Sequence, residues 1–234
     1  MQEQAAVVIV AAGSSQRMAG RDKLWTPLAG RITLARTIDA FAASPLIAQI
    51  VLVLNPARLE QARELCAHEG WPQVSVSGLV SGGQRRQDSV RAGLDYLAAN
   101  VPETRWVMIH DGARPLVSNS LLEAGLQAAQ AHQAAVAAVP VKDTIKQVEN
   151  GIIQATPERS RLWAVQTPQV FAFSLIHQAH HNSLAEIEAT DDAALLERLG
   201  YPVAIFPGSY TNLKITTQED LLLAEALLRG LTDL

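Results

Sequence analysis

The chain has 234 residues, with 48% hydrophobic and 18% charged side chains and a formal net charge of −4. That length is ample for one large core, and the acidic balance excludes a nucleic-acid coat or an anionic-membrane binder. The lone cysteine, Cys66, excludes an intrachain disulfide framework and a cysteine-rich metal site, and fits a reducing, cytoplasmic compartment. Ala6–Val10 is a continuous apolar run, the pattern of a central parallel strand buried on both faces. The opening MQEQAAVVIVAAG lacks a basic leader region and reads as this strand, not as a signal peptide. No apolar run approaches the roughly 20 residues of a membrane span.

A glycine- and basic-rich loop follows, from Gly13 to Lys23. Helical spacing of Leu34, Ile38 and Phe41 predicts a helix over Leu34–Ala43. Ile50–Leu54 reads as a strand ended by Asn55-Pro56, Leu59–His68 as a helix and Val74–Val76 as a short strand. Arg86–Ala99 is a helix and Trp106–Ile109 a strand that ends at His110-Asp111. Ser118 caps a helix running to about His132, and Ala134–Val139 is another strand. The rhythm then breaks. Thr144–Val148, Asn150-Gly151 and Ile152–Ala155 read as a β-hairpin with a type I′ turn. A two-stranded ribbon is marginal alone, so it needs a surface, and a second subunit is the candidate. Helices near Ser174–His181 and Asp191–Leu199, a strand at Val203–Phe206, a strand at Asn212–Thr216 and a helix at Gln218–Arg229 complete the chain. The expected fold is an open, mostly parallel, twisted α/β sheet with helices on both faces and a protruding β-hairpin dimerisation arm. With no linker visible, residues 1–234 form one expected domain, the arm spanning about 140–165.

Five clusters bring basic groups to strand ends. Ala11-Ala12-Gly13-Ser14-Ser15-Gln16-Arg17-Met18, with Lys23, lies where open sheets bind ligands, and small residues let backbone N–H groups approach an anion. Neither G-x-G-x-x-G nor Walker A is present; by itself the loop is also readable as a turn with solvated Arg17 and Lys23. Ser81-Gly82-Gly83-Gln84-Arg85-Arg86-Gln87-Asp88-Ser89 opens a helix whose N-terminus attracts anions, or is an ordinary cap. In His110-Asp111-Gly112-Ala113-Arg114-Pro115 the carboxylate suits a metal ion or a sugar hydroxyl and Arg114 a phosphate; His110, lacking a partner at ligand spacing, is assigned no role. The fourth cluster runs from Lys142, Thr144 and Lys146 through Arg159 to Gln166-Thr167-Pro168-Gln169. The fifth holds Lys214, which in a short strand would ordinarily face solvent. His177, His180 and His181 read as polar surface. Together the clusters suit two phosphorylated ligands, one a polyphosphate.

The stretches AAGSSQRM with Lys23, SGGQRRQDSV, HDGARP, PVKDTIK, LWAVQTPQVF, ATDDAALLE and NLKITTQEDL resemble those of the 2-C-methyl-D-erythritol 4-phosphate cytidylyltransferases of non-mevalonate isoprenoid synthesis. They run in the family's order from residue 8 to about 222. The resemblance implies a Rossmann-like nucleotidyltransferase sheet and cytidylyl transfer from CTP to methylerythritol phosphate with loss of pyrophosphate. It implies that Arg17 and Lys23 bind the CTP phosphates and stabilise the transition state. Ala11, Ala12, Gly13, Gly83 and Ser89 would contact cytidine, and Asp111, Arg114, Thr144, Thr167 and Lys214 the methylerythritol phosphate. Arg159 would reach that phosphate from the partner's arm in a homodimer, and Mg²⁺ would bridge the CTP phosphates; no protein metal ligand is assigned. Ser14-Ser15, Asp22-Lys23-Leu24-Trp25, Gln84, Gly112 and Thr211 depart from the family's usual residues without removing a charged catalytic group.

Physically, a phosphate monoester is a dianion near neutral pH, its second pKa being about 6, and needs no general base. The barrier is charge crowding and alignment, which cations offset. The alternatives are a ribitol-5-phosphate cytidylyltransferase, a pyridine-nucleotide oxidoreductase and a non-catalytic nucleotide sensor. The second predicts G-x-G-x-x-G and an acidic end to the second strand, where Leu54-Asn55-Pro56 stands; the third predicts loss of Arg17 or Lys23, and both are present.

Overall fold

The structure is a computed structural model that describes residues 3–13, 22–182, 185 and 187–232. Its centre is a seven-stranded sheet. The strands are β1 (Ala5–Ala11), β4 (Ile47–Leu54), β5 (Val74–Ser81), β6 (Trp106–Asp111), β7 (Ala134–Pro140), β10 (Trp163–Ala172) and β11 (Ala204–Pro207), in spatial order β11-β7-β10-β6-β1-β4-β5. β10 runs antiparallel to both its neighbours, and every other pairing in this sheet is parallel.

The apolar run of β1 is buried on both faces, and its alternation divides the core in two. Val7 and Ile9 join one layer with residues of α1 (Thr33–Ala42), α2 (Leu59–Glu69) and α4 (Asn119–His132). Ala6 and Val8 join the other, with α3 (Arg86–Asn100), α5 (Phe173–His180) and α6 (Ala193–Arg198). Gly93 shows how close α3 lies to the sheet. A β-carbon there would run into Val8 and come within 2.9 Å of Val53 Cγ2, which accounts for a glycine that costs about 1 kcal/mol inside a helix. Ser118 caps α4 as expected, its Oγ accepting from Leu121 N at 3.3 Å.

Several expectations need correction. Val74–Val76 is the start of an eight-residue strand, because its pairing with β4 continues past Gly78 to Ser81. β10 was not expected as a strand; its Gln166–Gln169 segment carries no β-branched alternation, and its ladder with β7 is interrupted between Val165 and Gln169. Asn212–Thr216 is not a strand but an extended crossing. Its Ile215 N donates to Ala113 O at 2.8 Å, and Ile215 packs against Leu28 and Ala224 of α7 (Gln218–Thr232). A two-residue hairpin, β2 (Pro27–Leu28) with β3 (Arg31–Ile32), also precedes α1.

The arm pairs β8 (Gln147–Glu149) with β9 (Ile152–Ala155). Its first strand begins later than expected: the ladder starts at Gln147, which pairs with Ala155 across a register shift at Gln147/Val148. Asn150 and Gly151 sit at φ 50° and 79°, as a type I′ turn requires.

Candidate active site

The carboxyl ends of β1 and β6 lie side by side, with α3 entering from beyond β5. A cavity of about 400 Å³ opens there. Ala11, Ala12 and Gly13 supply one wall, Gly83 to Arg86 and Ser89 another, and Lys23, Asp111 and Lys214 also line the cavity. The walls fit because they are small. A β-carbon on Gly82 would collide with the Ala12 methyl. Ser89 shapes the glycine turn: its Oγ accepts from Gly83 N at 3.1 Å and donates to Arg85 O at 3.2 Å. One hydroxyl lone pair remains to face a ligand. Arg85 turns back onto Asp88 at 2.7 Å, whereas the next residue, Arg86, reaches across to Asp111.

Asp111 is the electrostatic pivot. Its Oδ1 takes Arg86 Nε at 3.2 Å and its Oδ2 takes Lys214 Nζ at 2.6 Å. Arg86 also reaches buried Asp192 at 2.7 Å, and Asp192 meets His180 Nε2 at 3.2 Å. Burial alone would push the Asp111 carboxyl up, but Arg86 and then Lys214 hold it well below the usual carboxylate range. Burial would lower Arg86; Asp192 and Asp111 raise it instead. His180 is therefore not polar surface, as expected, but a buried member of this network. Nor does Lys214 simply face solvent: it is tied to Asp111.

His110 is buried and closes its own loop. Its Nε2 lies 3.1 Å from Arg114 O, an acceptor, so Nε2 carries the proton. Nδ1 then accepts from Thr167 Oγ1 at 3.2 Å, and that hydroxyl accepts from Asp111 N at 3.0 Å. Burial pushes the imidazole down to about 4, keeping it neutral. This chain fixes Asp111, Arg114 and Thr167 relative to one another. Arg114 donates to Asn212 O at 2.7 Å, while its buried Nε has no partner among the described residues. A desolvated guanidinium with spare donors is an anion receptor.

A second cavity of about 310 Å³ adjoins the first and is lined by Arg114, Gln166, Thr167, Gln169, Thr190 and Asp191. The two share Arg86, Asp111 and Lys214. Ten of the thirteen expected site residues fall in these cavities: Ala11, Ala12, Gly13, Lys23, Gly83, Ser89 and, at or beyond the shared wall, Asp111, Lys214, Arg114 and Thr167. Arg17 lies outside the described residues. Thr144 and Arg159 are exposed at the arm and line neither cavity of their own chain; Arg159 donates to Lys142 O at 2.9 Å. Sequence reasoning missed Arg86 and Asp192. Arg86 stood in a quoted motif, but only the cap formed by Arg85 with Asp88 separates the two arginines.

Asp111 is the one carboxylate among the described residues lining the first cavity, and both its oxygens face cations. One carboxylate cannot cage Mg²⁺; Asp111 would instead suit an ion that enters bound to an anionic ligand.

The family model described as 2-C-methyl-D-erythritol 4-phosphate cytidylyltransferase matches residues 5–230. Enzymes of that name from Dehalococcoides mccartyi and Syntrophotalea carbinolica are 46% and 48% identical to the chain, over 98% and 95% of both sequences. The crystal structure of 4-diphosphocytidyl-2C-methyl-D-erythritol synthase from Anaerococcus prevotii matches with a TM-score of 0.83 at 30% identity, over 97% of this chain and 96% of that one. The cytidylyltransferase from Thermus thermophilus matches with a TM-score of 0.77 at 34% identity, over 97% and 100%. The mostly parallel sheet, the two adjoining cavities and these matches agree: the chain belongs to the 2-C-methyl-D-erythritol 4-phosphate cytidylyltransferase family of nucleotidyltransferases.

Proposed function

We propose that the first cavity holds CTP and the second methylerythritol phosphate, and that the cytidylyl group passes between them across the Asp111–Lys214 wall. The observation that carries this reading is the adjacency of the two cavities, which share Arg86, Asp111 and Lys214. Cations outnumber carboxylates along both walls of a protein whose net charge is −4, as two phosphorylated ligands require.

The phosphate dianion attacks the α-phosphorus of CTP; an O–P bond forms, the bond to the β-phosphate bridge breaks, and pyrophosphate leaves. No proton needs removing, which suits a site whose nearest imidazole, His110, is buried with both nitrogens engaged. Lys23 and Arg17 offset the charge that builds on the triphosphate; Arg114 and Lys214 hold the nucleophile in line. Ala11, Ala12, Gly13, Gly83 and Ser89 border cytidine. Asp111 and Thr167 take the polyol. Asp111, in the wall that the two cavities share, would be the protein carboxylate beside a Mg²⁺ ion bound with CTP, and that ion would supply charge neutralisation on the phosphates.

The arm belongs to the same reading. Ile145, Val148, Ile152 and Ile153 are between 40% and 65% exposed, more apolar surface than a two-stranded ribbon leaves bare without a partner. A two-fold dimer would cover it and carry Thr144 and Arg159 to the partner's second cavity. A cytoplasmic location completes the proposal; no helix among the described residues is long and apolar enough to cross a membrane. The named relatives are methylerythritol phosphate enzymes, which disfavours ribitol 5-phosphate. The deciding assay is pyrophosphate release from CTP with each polyol phosphate, and with ATP, GTP and UTP in place of CTP. Methylerythritol phosphate with CTP should be turned over fastest; equal rates with ribitol 5-phosphate or ATP would overturn the assignment.

A further inference from the structure

On the outer face where α3 meets α5, away from both cavities, three ligating side chains converge. His177 and His181 lie one helical turn apart at the end of α5, and Asp95 faces them from α3. Asp95 Oδ1 lies 3.3 Å from His177 Nε2 and 2.7 Å from His181 Nε2. All three ligating atoms fall within 4.8 Å of one another. We propose that Asp95, His177 and His181 form a site for a borderline divalent transition ion of the Zn²⁺ class.

The geometry and the donors both point that way. A tetrahedral ion with bonds of about 2.0–2.1 Å places its ligand atoms about 3.3–3.5 Å apart. The His177–Asp95 edge already matches, and the His181–Asp95 edge needs a small opening by two half-exposed side chains. Phe173 stacks on the His177 ring at 5.5 Å, so that ring is oriented before any ion arrives. Two imidazoles and one carboxylate suit Zn²⁺, Co²⁺ or Ni²⁺, whereas Mg²⁺ and Ca²⁺ take oxygen ligands. Three protein ligands leave a coordination position for water. On binding, each ring offers its Nε2 lone pair with the proton on Nδ1, and the His181–Asp95 hydrogen bond is exchanged for two metal bonds. His180, between these two histidines, turns inward to Asp192 and takes no part.

Without an ion the cluster is a pair of surface His–Asp contacts, worth little. With one it becomes a staple between two elements of the cleft. α3 opens with Arg86 and Ser89 of the first cavity, and α5 follows β10, which carries Thr167 and Gln169 of the second.

The test uses the full-length, tag-free chain stripped with a chelator. Zn²⁺ is titrated by calorimetry, and Co²⁺ by the visible absorption of a four-coordinate ion. One ion per chain is expected, with a melting temperature that rises with Zn²⁺. Asp95→Asn, His177→Ala and His181→Ala should each weaken Zn²⁺ binding at least tenfold. The double variant His177→Ala/His181→Ala should abolish the Co²⁺ spectrum. Metal-free melting temperature and Mg²⁺-supported cytidylyl transfer should stay unchanged, since none of the three lines a cavity. No Zn²⁺ binding by the wild type at submillimolar concentration overturns the proposal, and so does binding that the variants leave intact.

Discussion

The cleft and the arm solve opposite problems. Around Asp111, the charges are satisfied within one chain: Arg86 is held between two aspartates, Asp192 between Arg86 and His180, and Lys214 on Asp111. At the arm, β8 and β9 pair only with each other and leave every residue of both strands exposed. The contrast teaches that preorganised charge can be built from a single chain's buried network, whereas an apolar ribbon leaves its side chains uncovered, the feature on which the proposed dimer rests. A buried ion network is costly to break, because its surviving members stay desolvated and unpaired; an exposed ribbon costs its own chain little to alter, and in the proposed dimer the loss would fall on the partner's site.

The largest effect should therefore come from the buried side. Asp192→Ala strips a partner from both Arg86 and His180 at a site 1% exposed. A loss of about 3–5 kcal/mol in unfolding free energy is expected, read by urea denaturation; a loss below about 1 kcal/mol would show that solvent or neighbouring groups replace the carboxylate easily. Within the same cleft, Lys23 should behave differently. It lines the first cavity and is only partly buried. Lys23→Ala should leave stability within about 0.5 kcal/mol yet lower kcat by about 10²–10³. Near-normal kcat would remove Lys23 from the chemistry and leave it a surface charge.

His110 sharpens the comparison through pH. Its pKa is lowered by burial to about 4, below the ordinary value of about 6.5. The unfolded chain therefore binds the proton first. The stabilisation is complete above about pH 6.5 and declines as pH falls toward 4. Between pH 7 and pH 5 this one residue should remove about 2 kcal/mol of stability. Asp111 and Asp192, whose pKa values are depressed, lose their contribution only as pH falls below the ordinary carboxylate range, so they do not confound that window. His110→Gln keeps a donor for Arg114 O and an acceptor for Thr167 but cannot titrate. Its unfolding free energy should be nearly flat from pH 7 to 5; an unchanged slope would place the acid sensitivity elsewhere.

Much of this was legible in the chain. The uninterrupted apolar runs of β1 and β6 and the cap at Ser118 are local signals, and local signals predict local structure. The asparagine–glycine turn fixed the arm in the same way. The motif residues Gly83, Asp111, Arg114 and Lys214 stood in clusters of small and basic residues, and it was the resemblance to a family's motifs that marked each of them as a site residue. What escaped was non-local. β10 is a strand because β6 and β7 flank it with backbone partners, not because Gln166-Thr167-Pro168-Gln169 has strand propensity. Lys214 looked like a strand residue facing water, yet its conformation is set by Asp111, 103 positions earlier. Arg86 and Asp192 are 106 positions apart, and no spacing in the sequence announces their pairing.

The arm allows the comparison to be broken outright. If it finishes a partner's site, Lys23 of one chain and Arg159 of the other serve the same reaction centre. Lys23→Ala and Arg159→Ala homodimers should then both be poor enzymes. Mixed in equal amounts with subunit exchange verified by mass spectrometry, half the dimers become heterodimers. In each of these, one site has an intact Lys23 from the Arg159→Ala chain and an intact Arg159 from the Lys23→Ala chain; the other site lacks both. One good site in two, in half the dimers, returns roughly a quarter of wild-type activity. If Arg159 acts within its own chain, every site lacks one of the two cations whatever the pairing, and mixing restores nothing. The exposed position of Arg159, outside both cavities of its own chain, makes recovery the expected outcome, and verified exchange without it would return the arm to a structural role and confine the active site to a single chain.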